Sequence, residues 1–200
     1  RDILIDKRGV WHSRGVPVSP ARALQQVDVA LNALHGGVGE DGTVSRLLER
    51  SGIPYAGSRA MPSAMSLNKI HAREVLQRAG LVMPQALSFS HSNDLDTGEM
   101  AQLVFSQFGP PYLVKPASEG ASTGLRLVFT IIELPDAIGD VLDSYGAALI
   151  EEYLMGEEAT VGVIQDFRGE ELYALPPARV ILPDDAPFFH FDHHRSGMLR

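Results

Sequence analysis

Three observations predict an α/β fold. An apolar run at 27–34 is followed by a glycine-rich turn, a short amphipathic segment and a second short strand, the order of a doubly wound α/β unit. Leu134, Ile138, Val141, Leu142 and Tyr145 fall at i, i+4, i+7, i+8 and i+11, the stripe of a helix with one buried face. Short strand-like runs lie on both sides of that helix, at 112–115 and 125–130 before it and at about 148–154, 158–166 and 171–182 after it.

From the N-terminus, residues 2–6 and 10–12 flank Lys7-Arg8-Gly9 as a hairpin would. Pro17 and Pro20 mark a loop, and 20–26 suit a short helix. Asp41 or Thr43 is placed to cap a helix that carries Val44, Leu47 and Leu48 and stops at Gly52. Ile53-Pro54-Tyr55 then forms a strand. Ser63 or Ser66 caps one helix bearing Leu67, Ile70, Val75, Leu76 and Ala79, closed by Gly80. A polar loop is expected at 91–99. Pro116 ends the strand at 112–115, a loop of small residues fills 117–124, and Arg168-Gly169 turns the chain between two late strands. There is no internal repeat and no low-complexity stretch.

Composition narrows the function. In 200 residues, 44% are hydrophobic and 21% charged, enough for an ordinary core. The 17 Lys and Arg against 25 Asp and Glu leave a formal charge of −8, which argues against a nucleic-acid binder. The absence of cysteine excludes disulfides and thiol catalysis. No apolar run approaches the roughly 20 residues needed to cross a bilayer, and Arg1 to Asp6 do not read as a signal peptide. A soluble, cytoplasmic protein is expected. Because the first residue is Arg and no closing element precedes Arg200, both ends are expected to be internal to a longer chain.

Three segments can carry chemistry. His35-Gly36-Gly37-Val38-Gly39-Glu40-Asp41-Gly42-Thr43 sits between a strand and a helix, where exposed N–H groups favour an anion. His35 and Glu40 add a titratable pair there; the plainer alternative is a tight turn with a capping Asp41. In Lys115-Pro116-Ala117-Ser118-Glu119-Gly120-Ala121-Ser122-Thr123-Gly124, a fixed positive charge precedes a loop able to fold over phosphates. The lysine comes before the glycines, so this is not a Walker A loop; the alternative is a solvated hairpin loop. In Leu149-Ile150-Glu151-Glu152-Tyr153-Leu154-Met155-Gly156-Glu157-Glu158, the acids could accept from an adenine amino group or ribose hydroxyls, or simply form a solvated edge. Lys69 reads equally as a surface lysine. His190, Asp192, His193 and His194 match no zinc spacing and read as a polar loop.

Taken in order, these pieces resemble the D-alanine–D-alanine ligases of the ATP-grasp superfamily. The motifs are His35 to Thr43, Gly52-Ile53-Pro54-Tyr55-Ala56-Gly57-Ser58, Ser63-Ala64, Asn68-Lys69, Val114-Lys115-Pro116, Glu119 to Gly124 and Glu151 to Glu158. The resemblance runs from about residue 2 to about residue 183 and implies an ATP-grasp fold preceded by part of a doubly wound N-terminal domain. It divides the chain into an N-terminal remainder (1–63), a central ATP-grasp subdomain (64–148) and the start of a C-terminal one (149–200).

The resemblance also implies roles. Lys69 and Lys115 contact ATP phosphates, and the loop from Glu119 to Gly124 closes over them with Ser122 donating. Glu151, Glu152, Tyr153 and Leu154 hold the adenine, largely through backbone groups, and Glu158 binds the ribose. His35 and Glu40 line the amino-acid side, with Glu40 and Ser122 close to the chemistry. Family enzymes use ATP to phosphorylate one D-alanine; the amine of a second then attacks, giving the dipeptide for peptidoglycan. The implied partners are ATP and D-alanine, with neither nucleic acid nor membrane, in a homodimer. The Mg²⁺ ligands would follow Arg200, so no metal site is expected within 1–200 and the chain alone is expected to be inactive.

The departures bear on specificity. Ala121 stands where the family usually has the first serine of a Ser-Ser pair, whose hydroxyl joins a glutamate and a tyrosine. Phe188 to Arg195 replace family text that ends in Lys-Tyr, leaving His194 or Arg195 as the cation and no tyrosine hydroxyl. Arg195 is taken as that catalytic cation. These changes admit two other readings: a ligase for D-serine or D-lactate, or a nucleotide-binding remnant that no longer ligates.

Overall fold

The computed structural model describes residues 2–6, 8–25, 27–120 and 122–181. They belong to two compact units, the first ending at Glu152 and the second beginning at Tyr153.

The first unit opens with the expected hairpin. Strands β1 (Ile3–Ile5) and β2 (Trp11–Ser13) pair antiparallel, and β3 (Val16–Pro17) adds to β2. Asp6 closes the turn: its carboxylate accepts from the N–H groups of Val10 (3.0 Å) and Arg8 (2.8 Å) and lies 3.1 Å from His12 Nε2. The Val10 N–H, then His12, hold its pKa down at about 2. Helix α1 (Pro20–Leu24) is capped by Ser19. Strands β4 (Ala30–Leu31) and β5 (Tyr55–Ala56) pair in parallel, with α2 (Thr43–Arg50) crossing between them, so the predicted βαβ order is present. The strand expected over 27–34 contracts to two residues. Among the described residues β4 pairs with β5 alone, so most of that run has no ladder to join. Trp11, Leu24, Val44 and Leu48 form the buried cluster of this region.

The single helix expected from Ser63 or Ser66 is two helices, α3 (Ala60–Leu67) and α4 (Lys69–Arg78). Asn68 breaks them. Its backbone is extended, and its side chain accepts from the N–H groups of Ile70 and His71, both at 3.1 Å, which makes it the cap of α4. The start of α3 has no cap from its own Arg59. Glu49 of α2 supplies it, accepting the Ala60 N–H at 3.1 Å and the Tyr55 hydroxyl at 3.0 Å. These two bonds, with Arg59 beside them, hold the Glu49 pKa below its ordinary value.

The remainder of the first unit is a four-stranded antiparallel sheet in the order β6 (Ala86–Ser90), β9 (Ala147–Glu152), β7 (Tyr112–Pro116), β8 (Arg126–Val128). Helices α5 (Thr97–Gln107) and α6 (Leu134–Tyr145) cover one face. The polar loop expected at 91–99 is therefore too long: α5 begins within it, where Asp96 and Glu99 form a reciprocal capping box. Alternation sorts the sheet. Tyr112 and Val114 of β7 face the helices with Ala148 and Ile150 of β9, while Lys115 and Glu151 take the opposite face.

In the second unit the two long strands expected after residue 157 are four short ones. β10 (Ala159–Thr160) pairs with β13 (Ala178–Arg179), and β11 (Val163–Phe167) forms a hairpin with β12 (Glu170–Ala174) about Arg168 and Gly169. The Arg168 guanidinium lies over the Phe167 and Tyr173 rings, at 5.3 and 5.6 Å from their centroids. Among the described residues no helix is long and apolar enough to cross a membrane.

Ile138 is fully buried at the centre of the α6 stripe. Ile138→Ala should destabilise the protein by about 2–5 kcal/mol, measured by chemical denaturation.

Candidate functional site

The glycine-rich turn after β4 becomes a short 3₁₀ segment, Gly37–Gly39, leading into α2. Asp41 accepts the Thr43 N–H at 2.7 Å, yet the cap position is Gly42. Gly42 is required twice over: its φ is +85°, and a Cβ there would lie 2.2 Å from the Ala60 carbonyl oxygen. That close approach brings α2 against the start of α3. His35 Nδ1 stands 3.6 Å from Glu40 Oε1, both side chains partly open to solvent. A Cβ on Gly120 would come within 3.2 Å of Glu40 Oε2, so the loop after β7 reaches the glycine-rich turn. A cleft of about 470 Å³ lies here, lined among others by Gly37, Asp41, Asn68, His71, Ser118 and Gly120. A larger cavity of about 680 Å³ is lined mostly by apolar side chains such as Trp11 and Leu24, with Asp2 the only ionisable residue among the described residues that line it.

Lys69 opens α4 against the same loop. Its backbone N–H donates to the Ala117 carbonyl at 2.7 Å, and its ammonium donates to the Glu119 carbonyl. Asn68 Nδ2 donates to Ser118 Oγ at 3.3 Å. The loop is folded tightly: the Thr123 N–H donates to Gly120 and the Leu125 N–H to Ser122, which sits at a left-handed φ of +56°. Burial, then the Lys115 charge, lower the Lys69 pKa, against an opposite pull from Glu119 and Glu151.

Lys115 and Glu151 are diagonal neighbours on the face of the sheet turned away from α5 and α6, because Leu113 pairs with Glu151 and Lys115 with Leu149. Their side chains form an ion pair. Arg73, one helical turn beyond Lys69 on α4, holds the other carboxylate oxygen of Glu151 at 3.2 Å and donates to the Pro84 carbonyl. Arg73, Lys115 and Glu151 retain only 11%, 19% and 10% side-chain exposure, so this is a largely desolvated cluster. Two cations share one carboxylate there and Lys69 adds a third positive charge nearby, which suits a polyanion. Arg73 is absent from the residues expected on sequence grounds. Its spacing of four from Lys69 was the available signal.

Of the other expected residues, Glu119 is exposed and contributes its carbonyl. The Glu152 carboxylate accepts the Gln85 N–H at 2.8 Å, tying β9 to the chain before β6. In the second unit Tyr153 is half-buried, Leu154 and Glu158 are exposed, and the Glu158 carbonyl accepts from Val180 at 2.8 Å. Arg195 lies outside the described residues, as do His190, Asp192, His193 and His194. Among the described residues no group of three or more His, Cys, Asp or Glu side chains is arranged to hold a metal ion.

The chain is similar to known proteins. Residues 3–58 match the family model described as D-ala D-ala ligase N-terminus, and residues 75–197 match D-ala D-ala ligase C-terminus. The D-alanine–D-alanine ligase of Geobacter sulfurreducens is 40% identical over 164 residues, which cover 77% of this chain and 50% of that protein. The crystal structure of the D-alanine–D-alanine ligase from Bacillus anthracis, complexed with ATP, superposes with a TM-score of 0.67 at 32% identity, covering 82% of this chain and 51% of that one. The VanG D-Ala:D-Ser ligase from Enterococcus faecalis superposes at 0.74 with 26% identity, covering 88% of this chain and 58% of that one. The architecture is thus that of an α/β ATP-grasp protein. Within that class, the chain belongs to the D-alanine–D-alanine ligase family. It spans about half the length of the curated relatives it matches.

Lys69 should titrate below the ordinary lysine value of 10.5. Because the Lys115 charge contributes to that, Lys115→Met should move the Lys69 titration upward, read from the Lys69 side-chain NMR shifts across alkaline pH.

Proposed function

We propose that the full-length protein is an ATP-dependent ligase that joins two D-alanines for peptidoglycan precursor synthesis. The observation that carries this reading is the pairing of Arg73 and Lys115 with the buried Glu151 carboxylate, with the Lys69 ammonium held nearby by the Glu119 carbonyl of the small-residue loop. Such an excess of positive charge at a half-desolvated site is matched by the phosphates of ATP. The family membership of the chain supports the same reading.

In this assignment Lys69 and Lys115 neutralise phosphate charge, and the loop from Glu119 to Gly124 covers it, with Ser122 as donor. Glu151, Glu152, Tyr153 and Leu154 take the adenine and Glu158 the ribose, the roles the resemblance gives them. His35 and Glu40 orient the amino acid whose carboxylate is phosphorylated. The amine of the second D-alanine attacks the acyl phosphate, forming the peptide bond and releasing phosphate. These side chains contribute positioning, charge stabilisation and exclusion of water. The ligands of Mg²⁺ are proposed to follow Arg200, and Arg195 to supply a further cation. The division at residues 63 and 148 into an N-terminal remainder and two ATP-grasp subdomains is proposed on the same basis, as is a homodimer.

The test is phosphate release by the full-length protein with ATP and D-alanine, D-serine or D-lactate as acceptor. D-alanine-dependent release with formation of the dipeptide is expected, and Lys115→Met should lower kcat/KM by about a hundredfold. ATP binding with no amino-acid-dependent release would replace the proposal with a nucleotide-binding role. Preference for D-serine or D-lactate would replace the proposal with the altered-acceptor reading that Ala121 and the changes up to Arg195 admit.

A further inference from the structure

We infer that Arg73 is a positioning residue for the nucleotide site, acting on Lys115 through Glu151. The inference rests on the reading of Lys115 as a phosphate contact. Glu151 is buried, and its two oxygens are shared out: Oε1 faces Arg73 Nη1 at 3.2 Å, and Oε2 holds the Lys115 ammonium. The second guanidinium nitrogen of Arg73 donates to the Pro84 carbonyl, just before β6. One planar fork therefore spans a side chain of β9 and the backbone that leads into β6, which pairs with β9 directly.

A lysine amine on a four-carbon stem has many rotamers, and an ion pair with an equally mobile carboxylate would not select one. Here the carboxylate is not mobile. Arg73 pins it from the side opposite Lys115, and the low exposure of all three side chains keeps water from competing. Arg73 also offsets the Glu151 charge, so Lys115 keeps net positive charge to offer a phosphate. Lys69, four residues earlier on α4, lies on the same side of that helix, so one face carries a phosphate contact and the residue that orients the other.

The experiment uses the full-length protein with Arg73→Met, Arg73→Lys, Lys115→Met and the Arg73→Met/Lys115→Met and Arg73→Lys/Lys115→Met pairs, reading ATP affinity by titration calorimetry and steady-state KM values. Arg73→Met should raise Kd and KM for ATP about tenfold and leave KM for D-alanine within about twofold. Arg73→Lys keeps the charge but cannot span both partners, and should raise Kd for ATP about threefold while preserving the fold. In the Lys115→Met background, either Arg73 change should add less than about twofold. Should Arg73→Met not fold, the Arg73→Lys values in the two backgrounds decide. ATP affinity at the parent level in folded Arg73 variants, with Lys115→Met weakened, would overturn the positioning role alone. An undiminished Arg73 effect in the Lys115→Met background would do the same. Unchanged ATP affinity in Lys115→Met would overturn the nucleotide-site reading and this inference with it.

Discussion

Pairing of β7 with β9 divides each strand between two environments, and the placement of both core and charges in the first unit depends on that division. Tyr112 and Val114 of β7 pack on α5 and α6 in the largest buried cluster among the described residues. Lys115 and Glu151 emerge on the opposite face, held within reach of each other by the register alone. A slip of one residue would bury the charges and expose the core, so the same apolar contacts that stabilise the sheet also fix where the charges stand.

The cluster built on that face joins distant parts of the chain. Arg73 and Glu151 are separated by 78 residues and meet where α4 approaches the face of the sheet turned away from α5 and α6. The Lys69 N–H bond to Ala117 and the Asn68 contact with Ser118 tie the start of α4 to the end of β7. At the other end of α3, Glu49 and Gly42 join the glycine-rich turn to the same helical pair. The glycine-rich turn, the start of α4 and the small-residue loop therefore surround one cleft.

Much of the fold was legible where one local rule governed. The hairpin about Asp6, the βαβ order of β4, α2 and β5, and the α6 stripe follow from turn residues and periodicity. Helix α5 was also signalled, by Asp96 and Glu99 at capping-box spacing, but the polar stretch before it resembled a loop. The break at Asn68 was harder to read. Serines at 63 and 66 are equally good caps by residue type, and only the extended backbone at Asn68, whose amide also reaches Ser118, shows which position is used. Strand lengths were overestimated at 27–34 and after residue 157, because a strand extends only as far as its partner does.

Spacing and residue type alone were enough for the α/β class, the βαβ order of β4, α2 and β5, and the buried stripe of α6. These are properties of a few helical turns or a few strand residues, and they survive without knowledge of neighbours. Which charges share a site was settled by packing. Arg73 looks like any exposed helical arginine until a carboxylate from β9 is brought to it. Electrostatic pairing acts between groups that the chain separates widely, so it becomes visible only once the folded structure has set their distances.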